Sequence, residues 1–293
     1  MNLRSLFSYF LAAQNEHGLH SPFVYNLYLS TIKKDTILPG FESIEYIRKQ
    51  MLQSRETLQV TDYGAGSKVN ASSVREVRDI AKNSKKSARL ARLFYRLIQK
   101  FDYEYIFDLG TSLGLTTLYL ATANSKAQVT TFEGCLEIAT VAARNFEQSA
   151  IGSRQSAVGN QRSTNPSVGF KPTDGFTPIT NHQSPIIIIT GNLDEVLEPQ
   201  VTAVPKLDFV FFDANHRYEP TVRYFETCLQ KAHNDSLFVF DDIHWSAEME
   251  AAWATIKAHP SVTVTIDLFA VGLVFFRQQQ PKQHFVLRWP FWK

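Results

Sequence analysis

The sequence has little of what would tie it to an oxidising compartment, a membrane or a polyanion. It has 2 cysteines, Cys135 and Cys228. Both fall in helical patterns, which argues against a disulfide framework and for a reducing compartment. No run approaches the roughly 18 apolar residues of a membrane span. The opening MNLRSLFSYFLAA is short, interrupted by serine and followed by QNEHG, so it reads as a first amphipathic helix rather than a leader. The formal charge is +2, so no global field for nucleic acid or a membrane surface is set up. These absences predict a cytoplasmic protein without a membrane partner. What is present is core material: 293 residues, 44% of them hydrophobic and 22 of them phenylalanine. That is enough for one large domain with an extension.

The most informative stretch is YIFDLGTSLGLTTLYLA, from Tyr105 to Ala121. A short apolar strand ends at Asp108-Leu109, a turn carries Gly110 and Gly114, and a helix follows. The glycines allow a tight turn and close approach to a ligand. Thr116 and Thr117 fall in the first helical turn, where free N–H groups attract polar ligand atoms. The spacing Asp-x-Gly-x-x-x-Gly lacks the Gly-x-Gly-x-x-Gly of a dinucleotide fingerprint, which argues against a dehydrogenase.

Before this stretch, residues 1–84 read as a helical extension, with Leu3, Phe7, Phe10 and Leu11 at helical spacing. Ser21-Pro22 marks a helix start and Pro39-Gly40 a turn. TDYGAGSKVNASS at 61–73 imitates a nucleotide loop, but no apolar helix follows it, so a polar loop is expected. Leu90, Leu93, Phe94, Leu97 and Ile98 then form an apolar helical stripe, with Lys85, Arg89, Arg92, Arg96 and Lys100 on the opposite face. A solvated face is the expected reading, and a nucleic-acid surface its alternative.

From residue 104 strands and helices alternate, which predicts a parallel α/β sheet over residues 85–280. In such sheets the ligand lies beyond the carboxyl ends of the strands. The second strand ends at Glu133, placed to hold two ribose hydroxyls. A polar insertion at about 150–185 has no apolar period and is expected to be a functional loop or disordered. PIIIITGN brings a strand and a turn at Asn192. LDFVFFDANHRYEP ends a strand at Asp213 and places His216 three residues on; SLFVFDDIHWS does the same with Asp241, Asp242 and His244. Oxygen ligands of this kind suit a hard cation such as Mg²⁺. Helix capping by these acids is the bland alternative. Residues 281–293, with HFVLRWPFWK, read as a C-terminal tail with exposed-looking aromatics, set against the N-terminal helices or a second subunit.

FDLGTSLGLTTLYLA resembles motif I of class I S-adenosylmethionine (SAM)-dependent methyltransferases, and the strand-end acids resemble those of catechol- and macrocin-O-methyltransferase-like enzymes. The resemblance covers about residues 85–277. It implies a Rossmann-like, seven-stranded, mostly parallel sheet. It implies SAM across Asp108, Gly110, Thr111, Ser112, Gly114, Glu133, Asn192 and Asp213. It also implies Mg²⁺ or another divalent cation on Asp213, Asp241 and Asp242, with His216 as base where catechol enzymes carry lysine, and with His244 beside it. The expected partner is a small-molecule methyl acceptor, with a homodimer as an option. An RNA methyltransferase and a SAM-binding protein without catalysis remain as alternatives.

Overall fold

The computed structural model describes residues 3–35, 37, 40–61, 73–84, 86–149 and 185–290. Almost all of the loop expected at 61–73 and of the insertion expected at about 150–185 lies outside the described residues, as do Pro39, Lys85 and residues 291–293.

Helices come first: α1 (Leu3–Ala12), α2 (Pro22–Leu27), which continues into a π-helical turn at Tyr28–Ile32, and α3 (Glu42–Gln53). Ser21 caps α2 by accepting the Val24 N–H, and proline stands in its first turn. A small antiparallel pair follows, β1 (Thr57–Gln59) with β2 (Val74–Glu76), then α4 (Val77–Ser84) and α5 (Ala88–Phe101). The alternating part runs β3 (Tyr105–Leu109), α6 (Leu115–Thr122), β4 (Gln128–Glu133), α7 (Leu136–Gln148), β5 (Ile186–Thr190), α8 (Leu193–Ala203), β6 (Phe209–Phe212), α9 (Tyr218–Leu229), β7 (Leu237–Asp241) and α10 (Ala247–Ala258). It closes with β8 (Val264–Asp267), β9 (Val271–Phe275) and β10 (Gln283–Val286).

The main sheet has the order β10-β8-β9-β7-β6-β3-β4-β5, with β9 antiparallel to both of its neighbours and every other pair parallel. It has eight strands where seven are expected from the sequence. The addition is β10, drawn from the segment read as a tail. A four-residue strand beginning with Gln283 and His284 has too little alternation to stand out. Leu287 and Trp289, in the segment read as set against the N-terminal helices or a second subunit, are 0% and 2% exposed. Trp289 lies under the Arg89 guanidinium, and the Tyr9 hydroxyl donates to the Leu287 carbonyl.

Both faces of the sheet are covered, which is why its central strands are apolar throughout. Phe209, Phe211, Leu237 and Val239 point into one core with α5 and α6, and Val210, Phe212, Phe238 and Phe240 into the other with α8, α9 and α10. Val24, Leu27, Ile32, Ile44 and Ile47 of the N-terminal helices join the first core. Register then sets the site. Leu109 pairs with Phe132 on one side and Phe212 on the other, and Phe212 with Phe240. The next residues, Glu133, Gly110, Asp213 and Asp241, therefore end neighbouring strands in one row.

Candidate active site

At the end of β3 the chain turns at Gly110, with φ +116°. A Cβ there would lie 2.5 Å from the Asp213 carbonyl oxygen, so only glycine fits. The Gly110 and Thr111 N–H groups both donate to the Phe132 carbonyl, at 3.1 and 2.9 Å. Ser112, at φ +47°, donates its N–H to Glu133 Oε2 at 2.8 Å, and Cys135 donates to Oε1 at 2.9 Å. Glu133 thus fastens the loop. Gly114 opens α6 at φ +78°, and a Cβ there would stand 2.4 Å from the Phe146 ring. Protein packing by itself therefore demands glycine at both positions.

Asp108 and Thr111 lie beneath this loop. Asp108 is 1% exposed and accepts from Thr117 at 2.6 Å and Thr131 at 3.2 Å. Burial pushes its carboxyl up to about 7, against the hydroxyls that favour the ionised form. The Thr111 hydroxyl meets that of Thr131 at 2.6 Å. Asp108 therefore ties β3 to α6 and β4 and does not line the cleft above. That cleft, of about 320 Å³, is lined by Gly110, Thr111, Ser112 and Thr116 together with Ala81, Lys86 and Asp213. Asn192 does not line it either; its side chain caps α8 by accepting the Asp194 N–H at 3.2 Å.

Asp213 and Asp241 stand side by side at the far end of the row. The Lys86 ammonium lies between them, 2.9 Å from Asp213 Oδ1 and hydrogen-bonded to Asp241 Oδ2. His216 Nε2 is 3.5 Å from Asp213 Oδ1. Burial favours neutral Asp213, but Lys86 and His216 outweigh it and hold the carboxyl below its usual range. Burial wins at Asp241, which is pushed well up. Burial likewise opposes the charge on Lys86, and the surrounding carboxylates more than offset it. Asp213, His216 and Asp241 can each bring a ligand atom within 4.8 Å of the others. The Lys86 ammonium stands at this same place, in contact with both carboxylates. Asp242, at φ +53°, does not join that group, and its N–H donates to the Ala270 carbonyl at 2.8 Å.

Residues 107–243 match the family described as a methyltransferase domain. This segment has the fold of a class I methyltransferase domain. No curated protein matches the chain significantly. Solved structures with the same fold include Rv0187 from MTB in a cofactor-bound form, 15% identical, covering 88% of this chain and 99% of its own with a TM-score of 0.55. The SAH-bound methyltransferase PaMTH1 of Podospora anserina is 11% identical, covers 89% and 97%, and has a TM-score of 0.54. A Klebsiella pneumoniae protein assigned to the O-methyltransferases is 13% identical, covers 82% and 92%, and also reaches 0.54.

Within this fold, His244 is not brought to the acid pair. Its Nε2 lies 2.8 Å from Asp267 Oδ2, its Nδ1 3.5 Å from Glu250, and its ring stacks on Phe269. Burial lowers the imidazole pKa, but the hydrogen bond and charge of Asp267, with Glu250, outweigh it and the pKa is raised. The basic face of α5 is not a solvated face. Arg92 grips Asp35 with two bonds of 2.8 and 3.0 Å, and Arg96 donates to the Thr31 carbonyl at 3.0 Å. It holds the N-terminal segment against the sheet domain. Lys86 is the residue that sequence reasoning missed. It stands beside Ser87, the cap of α5, and only the lysine pair before that cap hinted at anything apart from the helix face.

Proposed function

We propose that the chain transfers a methyl group from SAM to a hydroxyl oxygen of a small molecule. The observation that carries this reading is the cleft that runs from the Gly110 loop to Asp213, with His216 beside that acid. The loop suits SAM: it offers backbone, the Ser112 and Thr116 hydroxyls and, at its edge, the Glu133 carboxylate. Bound there, SAM supplies an electrophilic methyl group on a sulfonium.

The protein's own part is orientation and proton handling. His216 accepts the acceptor's hydroxyl proton as oxygen forms its new bond. Asp213 stabilises the imidazolium, as carboxylates do beside catalytic histidines. Lys86 keeps Asp213 ionised for that task. Burial of the pair excludes water and strengthens these interactions. The divalent ion that the acid cluster suggests has no step here. The RNA reading loses its main support, since Arg92 and Arg96 are taken up within the chain.

The test is calorimetric SAM titration together with transfer of labelled methyl to a panel of hydroxylated small molecules. Glu133→Ala is expected to weaken SAM binding by roughly 1–3 kcal/mol, the scale of hydrogen bonds to a charged group. Transfer to RNA alone, weakening steeply with salt, would overturn the small-molecule reading.

A further inference from the structure

We propose that Lys86 is a built-in counter-cation that takes the place of a divalent metal between Asp213 and Asp241, so that this methyltransferase works without metal and gains a metal site when the ammonium is removed. Two neighbouring carboxylates at parallel strand ends repel each other unless positive charge lies between them. The ammonium is in that position, 2.9 Å from Asp213 and bonded to Asp241 as well. Its side chain is 16% exposed and that of Asp241 is 3% exposed, so the contact is screened little by solvent.

The lysine is also held in place. It precedes Ser87, whose hydroxyl accepts the Leu90 N–H at 3.2 Å and so fixes the start of α5. The rest of α5 is buried through Leu90, Leu93, Phe94 and Leu97. Reaching the acids from a packed helix start makes Lys86 a positioning residue, acting on the reaction through Asp213 and His216. A point charge with three donors can satisfy two carboxylates at once. Without it, two carboxylates and an imidazole, all within 4.8 Å, make a donor set for Mn²⁺.

The experiment titrates the whole protein with Mn²⁺, read by calorimetry and by loss of the free-ion paramagnetic resonance signal. Wild type is expected to bind no Mn²⁺ at millimolar concentration, and EDTA to leave its rate unchanged. Lys86→Met is expected to bind one Mn²⁺ at least tenfold more tightly than wild type, and Lys86→Met with Asp213→Asn to lose that binding. Lys86→Arg is expected to bind none. Tight Mn²⁺ binding by wild type would overturn the proposal, as would a folded Lys86→Met protein that binds none. Should Lys86→Met fail to fold, Lys86→Gln repeats the test, and the wild-type titration decides independently. The EDTA arm rests on the methyl-transfer reading. The Mn²⁺ titrations do not, so absence of transfer to any acceptor would sink that reading and leave the role of Lys86 still decided by binding.

Discussion

Two loops leave neighbouring parallel strands with an imidazole three residues after a strand-end acid, yet they put those imidazoles to different uses. After β6 the backbone enters the left-handed region at Asn215 and His216, with φ +67° and +46°, and the ring returns to Asp213. After β7 the left-handed residue is Asp242, and the ring of His244 goes to Asp267 at the end of β8. Left-handed backbone at non-glycine residues costs on the order of 1 kcal/mol each and persists where the surroundings impose it. The position of that strain along the loop, more than the spacing of acid and histidine, separates a site residue from a structural one.

The largest expected effect breaks this pair apart by activity. His216→Ala should lower kcat by roughly 10²–10⁴-fold with SAM affinity retained, the scale of a lost general base, while His244→Ala should keep kcat within a few-fold; steady-state kinetics on both variants checks it. Next comes Gly110→Ala, which puts a side chain on the Asp213 carbonyl and forces L geometry at φ +116°. It should destabilise by about 3 kcal/mol or more, measured by chemical denaturation, with loss of activity in step. His244→Ala should cost about 1–3 kcal/mol through the Asp267 carboxylate left without its partner, read in the same denaturation series.

The smallest effect is the most discriminating, because it uses pH. Burial lowers both imidazole pKa values, but the acid bonded to each outweighs it and both are raised. His216 must be neutral to accept a proton, so kcat should rise with pH to a midpoint above the ordinary value of about 6.5, and that rise should vanish in His216→Ala. A raised histidine stabilises the fold fully below its unfolded pKa, and the contribution fades as pH rises through the folded one. The stability gap between wild type and His244→Ala should therefore be widest below about pH 6.5 and close on the alkaline side. A gap that widens with pH would contradict the His244–Asp267 pairing.

Much of the fold was legible because its signals are local. Strand, glycine turn and helix from Tyr105 onward carry their own geometry, and the acids at the ends of β6 and β7 follow apolar runs that only a covered parallel sheet accommodates. What escaped depends on distant partners. Nothing near Lys86 says that its ammonium ends between Asp213 and Asp241. The arginines of α5 look like a solvated face until Asp35 is placed against them. Asp108 reads as a ligand-facing acid because strand polarity cannot tell which way a buried carboxyl is satisfied. The eighth strand was missed for the same reason: β10 is defined by its neighbour β8 and hardly by its own residues.

The bond between the two ends of the described chain has a consequence for biogenesis. Gln14 donates its N–H to the Val286 carbonyl at 2.8 Å and accepts from Arg288 at 2.9 Å, while Tyr9 holds the Leu287 carbonyl. The segment around Gln14 leaves the ribosome well before the one around Val286 that completes it. At about 5–20 residues per second, the first helix waits on the order of 15–50 s for its partner strand. Through that interval Tyr9 and Ala13 lack the cover that keeps them 4% and 6% exposed in the finished protein. Until the later segment arrives, the nascent chain presents an apolar handle there, the kind of surface on which a ribosome-associated chaperone acts.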